Sequence, residues 1–119
     1  MGLNRTVAAV FGVVYLIAGL TGFILASPLF GLFEVNPLHN VVHVVIGAAL
    51  LWAMMSASTA VLTNRAIGVV LLALGVLGIF VPNPLGLVPI GGYDIFLHLA
   101  SGVVLAEVSL VGSSELATA

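Results

Sequence analysis

The sequence predicts an all-α polytopic membrane protein in which four transmembrane helices form two parallel-repeat helical hairpins. Of its 119 residues, 62% are hydrophobic and only 5% are charged. Soluble domains carry about 25% charged residues, so this chain lacks the charges that a water-exposed surface needs. Its apolar runs are continuous rather than alternating, which favours helices over a transmembrane barrel. An internal repeat predicts the two hairpins.

Four apolar runs approach the roughly 20 residues that a helix needs to cross a bilayer. They lie at residues 6–26, 38–56, 66–81 and 93–111. Ser27-Pro28 ends the first run, and Pro37 suits the first turn of the second, where its missing N–H costs no hydrogen bond. The small polar residues 56–64 predict a short loop, which makes the third span the shortest. The tail after Gly112 is expected to be frayed.

Charge and cysteine content exclude several classes of function. The net charge is −2, and the chain has two arginines but no lysine, so there is no basic patch and no nucleic-acid partner is expected. The absence of cysteine excludes disulfides, thiolate metal ligands and thiol nucleophiles. No nucleophile–base pair or cofactor-binding loop is evident, which favours a protein that is not an enzyme.

The two arginines predict the orientation of the protein in the membrane. Arg5 precedes the first span, and Arg65 falls between the second and third predicted spans. Under the positive-inside rule, both termini and the middle loop are cytoplasmic. The loops near Glu34 and Pro89 then face outward.

The second half of the chain repeats the first. Three pairs of equivalent residues lie 55 positions apart: His39 and Asp94, His43 and His98, and Gly47 and Gly102. The chain is therefore interpreted as a single transmembrane domain, residues 1–119, with one hairpin at 6–56 and the other at 66–111. Because each hairpin crosses the membrane twice, both have the same orientation and are related by an axis along the membrane normal.

Glycines in the first and third spans recur at an offset of 56 residues. They are Gly12, Gly19 and Gly22 in the first span, and Gly68, Gly75 and Gly78 in the third. Small residues allow helices in lipid to approach closely. These glycines therefore predict helix contacts, either within one chain or between copies in a homo-oligomer or a larger membrane complex.

Four polar side chains form the candidate site. Residues four apart lie on one face of a helix, so His39 and His43 point the same way, as do Asp94 and His98. If the repeat axis relates the two faces, all four side chains converge inside the bundle near the outer face of the membrane. Ionisable residues at membrane depth usually face a bundle interior or water.

The sequence leaves four interpretations of this cluster open. The histidines can make structural hydrogen bonds only, or His39, His43, Asp94 and His98 can bind a divalent metal ion. Alternatively, His43 and His98 can be axial ligands of a non-covalent haem-type tetrapyrrole, with Gly47 and Gly102 leaving room beside the flat ring. The same groups could also serve as a proton or solute pathway.

The chain resembles a family of small four-span bacterial membrane proteins catalogued as a domain of unknown function, the 4383 family. The resemblance covers nearly the whole chain. It rests on residues 36–43 (NPLHNVVH) with Gly47, and on residues 94–98 (DIFLH) with Gly102. This resemblance implies a four-helix protein of the bacterial inner membrane. It implies no particular activity.

Two hypotheses of function follow from the sequence. The first is a membrane protein that binds a metal ion or a haem-type cofactor through the His/Asp cluster. The second is a non-catalytic structural or accessory subunit, or a homo-oligomer, whose histidines only make hydrogen bonds. In both, the lipid bilayer is the main surrounding partner.

Overall fold

The computed structural model describes residues 1–112, and these residues form four α-helices and one short 3₁₀ turn. The helices are α1 (Leu3–Ile24), α2 (Pro37–Ala53), α3 (Ala57–Phe80) and α4 (Tyr93–Leu110). The 3₁₀ turn, Pro84–Gly86, lies between α3 and α4. The predicted all-α fold is therefore confirmed. The tail beyond Gly112, which was expected to be frayed, lies outside the described residues.

The helices have the composition of membrane spans. Within residues 1–112, α1, α3 and α4 are long and apolar enough to cross a bilayer, whereas α2 is apolar but has 17 residues. At 1.5 Å per residue α2 extends for about 26 Å, slightly less than the roughly 30 Å of a typical hydrocarbon core. Large apolar side chains point outward, as Phe80 on α3 and Phe96 on α4 illustrate. This surface suits contact with lipid rather than water.

The predicted limits of the third span are wrong. The small polar residues 56–64 do not form a loop, because α3 begins at Ala57 and is the longest helix, with 24 residues. Ser56 is its N-cap, and the Ser56 hydroxyl accepts a hydrogen bond from the Thr59 backbone N–H at 3.3 Å. Serine and threonine favour this position because they satisfy free N–H groups at a helix start. The polar stretch therefore marks the start of the helix.

Polar residues inside α3 donate hydrogen bonds to neighbouring helices. The buried Asn64 amide donates to the backbone carbonyl of Asn4 at 3.0 Å. Arg65 lies in α3 rather than between two spans, and its guanidinium donates to the Ser109 carbonyl at 3.0 Å. Arg5 donates in the same way to the Met54 carbonyl, at 2.6 Å. Each arginine thus binds a carbonyl at the C-terminal end of the other helix in its hairpin.

Helix packing reproduces the internal repeat. α1 packs along α2, and α3 packs along α4. A Cβ added at Gly47 would meet the Gly12 carbonyl of α1 at 2.8 Å, and one at Gly102 would meet the Gly68 carbonyl of α3 at 2.9 Å. These are equivalent contacts in the two hairpins. The parallel repeat expected from the sequence is therefore present in the fold.

The connecting loops repeat as well. In the loop after α1, Phe30 and Gly31 have φ values of +54° and +72°. In the loop after α3, the equivalent Leu85 and Gly86 have φ values of +54° and +68°. Two consecutive left-handed residues are unusual when the first is not glycine, so the match reflects the duplicated design. Both loops cover the end of the bundle that contains the histidines.

The hydrophobic core lies farther than the histidines from the loops after α1 and α3, toward the opposite end of the bundle. Its members are fully buried and come from all four helices: Ala8, Tyr15, Leu50, Ala60, Leu71 and Leu105. Leu50 and Leu105 are repeat equivalents, as are Tyr15 and Leu71. The core is not symmetric at this position, because α1 has a tyrosine where α3 has a leucine. Tyr15 also contacts the site described next.

Candidate metal centre

The first turn of α2 positions two of the four candidate residues. Asn36 is the N-cap, and its side-chain oxygen accepts a hydrogen bond from the His39 backbone N–H at 2.8 Å. Its amide donates to the Leu87 carbonyl in the loop of the other hairpin, at 2.8 Å. Asn36 therefore fixes the start of α2 and links the hairpins. From this start, His39 and His43 point inward, one turn apart.

The imidazoles of His39 and His43 are in direct contact. Their Nε2 atoms are 2.9 Å apart, and their ring centroids are 4.2 Å apart. Both residues are buried, with 2% and 4% of their surface exposed. Two neutral imidazoles at this distance share one proton, because one nitrogen donates and the other accepts. An ion between them would bind both nitrogens instead.

Helix α4 supplies the other two residues, Asp94 and His98, which are also buried. Asp94 Oδ2 lies 3.4 Å from His39 Nε2. The His98 ring centroid is 6.2 Å from that of His43 and 6.4 Å from that of His39. One nitrogen from each imidazole lies within 4.8 Å of the other two. The structure therefore brings all four predicted residues together, although it leaves their roles as ligands untested.

Several polar atoms of this cluster have no hydrogen-bond partner within residues 1–112. They are Nδ1 of each of the three histidines, His39, His43 and His98, and both carboxylate oxygens of Asp94. Buried polar groups in folded proteins are normally paired, and leaving one unpaired costs about 1–3 kcal/mol. The cluster is therefore incomplete as a purely structural hydrogen-bond network.

Tyr15 is a neighbour that the sequence analysis did not identify. Its ring packs edge-on against His43, with centroids 5.2 Å apart, and it is fully buried. Its hydroxyl is close to Ser101 on α4. The available signal was the repeat itself, because Tyr15 is a polar residue where the second hairpin has Leu71. Comparing the two halves position by position would have singled it out.

The spacing of the cluster is close to that of a metal site. Ligands bonded at 2.0–2.1 Å in a tetrahedral site lie about 3.3 Å from one another. The separation of His39 from His43, 2.9 Å, and that of His39 from Asp94, 3.4 Å, lie on either side of this value. The three histidines, each with one ring nitrogen within 4.8 Å of the other two, form the possible metal-binding group, and Asp94 adds its contact with His39.

A tetrapyrrole fits the same residues less well. The cavity that borders both His43 and His98 has a volume of about 120 Å³, whereas pockets for organic ligands usually measure about 300–1,000 Å³. Gly47 and Gly102 were expected to leave room beside a flat ring. That expectation is wrong, because Gly47 packs against the backbone of α1 and Gly102 against that of α3.

Comparison with known proteins identifies a family whose function is unknown. The family model described as "Domain of unknown function (DUF4383)" matches residues 5–111. No curated protein and no solved structure matches the chain. The candidate site must therefore be interpreted from its own chemistry.

Proposed function

Because the chain belongs to the DUF4383 family, whose description carries no activity, we propose a function from its side chains: it is an integral membrane protein that binds a divalent transition-metal ion. The proposed ligands are the imidazoles of His39, His43 and His98, with the carboxylate of Asp94 as the fourth. Imidazole nitrogen suits zinc, copper, iron and nickel. The absence of cysteine leaves a site of nitrogen and oxygen ligands only.

The observation that carries the proposal is the convergence of three buried imidazoles beside the buried carboxylate of Asp94, which accepts no hydrogen bond within residues 1–112. One proton shared by His39 and His43 accounts for their contact of 2.9 Å. It leaves both oxygens of Asp94 without a donor in the described part of the chain. A metal ion would satisfy the imidazoles and the carboxylate at once. It would also offset the charge of Asp94, which is expensive to bury alone.

The test is the metal content of protein purified in mild detergent. Elemental analysis should find about one metal ion per chain. Binding of added Zn²⁺ should raise the midpoint of thermal unfolding, because a ligand that binds only the folded state stabilises it. An absorbance spectrum of the same sample tests the haem alternative, which requires a Soret band.

Two variants and one control locate the metal. His43→Gln and His98→Gln should lose the bound metal and the thermal shift with Zn²⁺. Asn64→Ala, which removes an equally buried polar group at the other end of the bundle, should keep both. Wild-type protein with neither stoichiometric metal nor a Zn²⁺-dependent shift would leave the structural hydrogen-bond function as the better explanation.

We also propose that the protein lies in the bacterial inner membrane with both termini cytoplasmic. Arg5 and Arg65 support this orientation, since both hydrogen-bond at the same end of the bundle. The His/Asp cluster lies toward the opposite end, next to the loops after α1 and α3. The metal would then be bound near the outer face.

A further inference from the structure

A cavity next to the metal centre has no role in metal binding. It has a volume of about 310 Å³ and lies between α1, α4 and the loop after α1. The residues that line its outer part are exposed, with Ile17 at 56% and Phe30 at 73%. Two of the polar residues that line it, His43 and Asp94, are almost completely buried. The cavity therefore opens on the lipid-facing surface and ends at a carboxylate.

The internal repeat shows that this cavity is specific to one side of the molecule. The equivalent space, between α3, α2 and the loop after α3, has a volume of about 120 Å³. There Leu74 replaces Ala18, Val88 replaces Phe33, and His39 takes the position of Asp94. The two hairpins share one design, and the larger cavity has a small residue and an acid where the smaller one has a leucine and a histidine, although Phe33 is bulkier than Val88.

Asp94 defines the head group that this cavity would accept. Neither of its oxygens accepts a hydrogen bond within residues 1–112, so a ligand that donates one would remove the cost of a buried unpaired group. A hydroxyl group donates such a bond, and a neutral ligand reaches the cavity from the bilayer without carrying a charge through hydrocarbon. The rest of the lining is apolar, apart from His43 and Thr21. The Thr21 hydroxyl already donates to the Ile17 carbonyl at 2.8 Å.

We infer that this cavity binds a membrane-soluble hydrophobic alcohol or phenol, which enters from the bilayer with its hydroxyl group directed at Asp94. The apolar body of the ligand lies against Ala18, Phe33 and Leu97. This inference goes beyond metal binding and does not depend on it, because the cavity and the Asp94 oxygens that accept no hydrogen bond within residues 1–112 are present in the chain alone.

The test uses a 4-alkylphenol with a photoreactive diazirine in its alkyl chain. It is added to the protein in lipid nanodiscs with EDTA present, so that the result is independent of bound metal. After irradiation, mass spectrometry locates the labelled residues. Labelling should be saturable and should map to α1, the loop after α1 and α4. The methyl ether of a 4-alkylphenol, which cannot donate a hydrogen bond, should compete at least about tenfold less well than the phenol.

Ala18→Leu gives the cavity the residue that the second hairpin has at Leu74, and it should reduce labelling at least about tenfold. Ala48→Leu, an equal change at an exposed position of α2, is the matched control and should label as wild type. Equal labelling of the two variants, equal competition by the ether, or labelling spread evenly over the apolar surface would overturn the inference. The ether comparison uses the wild-type chain and holds even if Ala18→Leu does not fold.

Discussion

Asp94 and His39 show how a duplicated position acquires different chemistry. They occupy equivalent places in the two hairpins, yet one is a carboxylate and the other an imidazole, and their side chains lie 3.4 Å apart. Two carboxylates or two protonated imidazoles at this distance would repel each other in a medium of low dielectric constant. The mixed pair avoids this repulsion when no cation is bound, and it still offers one nitrogen and one oxygen ligand. The spacing of four residues within each helix was visible in the sequence, whereas the contact between the helices was not.

Asp94→Asn tests the contribution of the carboxylate to metal affinity. The substitution keeps the shape of the side chain but removes its charge, and it should weaken Zn²⁺ binding by about 10–100-fold, as changes around metal ligands typically do. Competition with a chelator of known affinity measures the change.

Glu34→Gln is the matched control for this prediction, because Glu34 is an exposed acid in the loop before α2. Its removal should change the affinity by much less, since exposed charges are screened by water and salt. Equal losses in the two variants would mean that Asp94 acts only through net charge and is not a ligand.

The glycine-lined faces of α1 and α3 are used inside the molecule. A Cβ added at Gly19 would meet Val44 of α2 at 2.6 Å, and one at Gly75 would meet Leu99 of α4 at 2.6 Å. Val44 and Leu99 are themselves repeat equivalents. These glycines therefore allow close packing within each hairpin. The homo-oligomer and the larger membrane complex remain predictions, and these buried glycines do not supply their interface.

Gly47→Ala should destabilise the protein by about 1–3 kcal/mol, because the added methyl group would force α2 away from the backbone of α1. Reversible unfolding in mixed detergent micelles measures this loss. Val45→Ala, at an exposed position of the same helix, is the control and should change stability by less than about 0.5 kcal/mol. An equal loss in both variants would contradict close packing at Gly47.

At the scale of the whole molecule, the two ends of the bundle differ in chemistry. One end holds Arg5, Arg65 and the buried amide pair of Asn4 and Asn64. The other end holds the His/Asp cluster beneath the two loops. Arginines are retained on the cytoplasmic side of the membrane. This difference therefore predicts that the end with the two arginines is cytoplasmic and that the His/Asp cluster lies near the outer face. The earlier start of α3, which places Arg65 inside a helix, does not alter this prediction, since Arg65 still lies at the same end of the bundle as Arg5.

The lack of native cysteine makes the orientation testable by labelling of single introduced cysteines. In intact cells, a membrane-impermeant maleimide should label Asn83→Cys in the loop after α3. Gly2→Cys and Ser58→Cys should react only after the membrane is permeabilised. All three positions are exposed, so differences in labelling report on the side of the membrane. The reverse pattern would show that the orientation is inverted.

The sequence by itself determined the membrane class, the four helices and the duplicated hairpin, because composition and periodic spacing act locally along the chain. It also placed His39 with His43, and Asp94 with His98, on shared helix faces. It misplaced the start of α3, where capping by Ser56 outweighed the polar composition of the stretch.

Only the tertiary structure decided which faces meet. It brought Tyr15 against His43, placed Gly47 against α1 instead of beside a ring, and opened the cavity next to Ala18. These features depend on side-chain volumes that meet across different helices. Such contacts join residues far apart in the chain, and the local sequence pattern does not encode their distances.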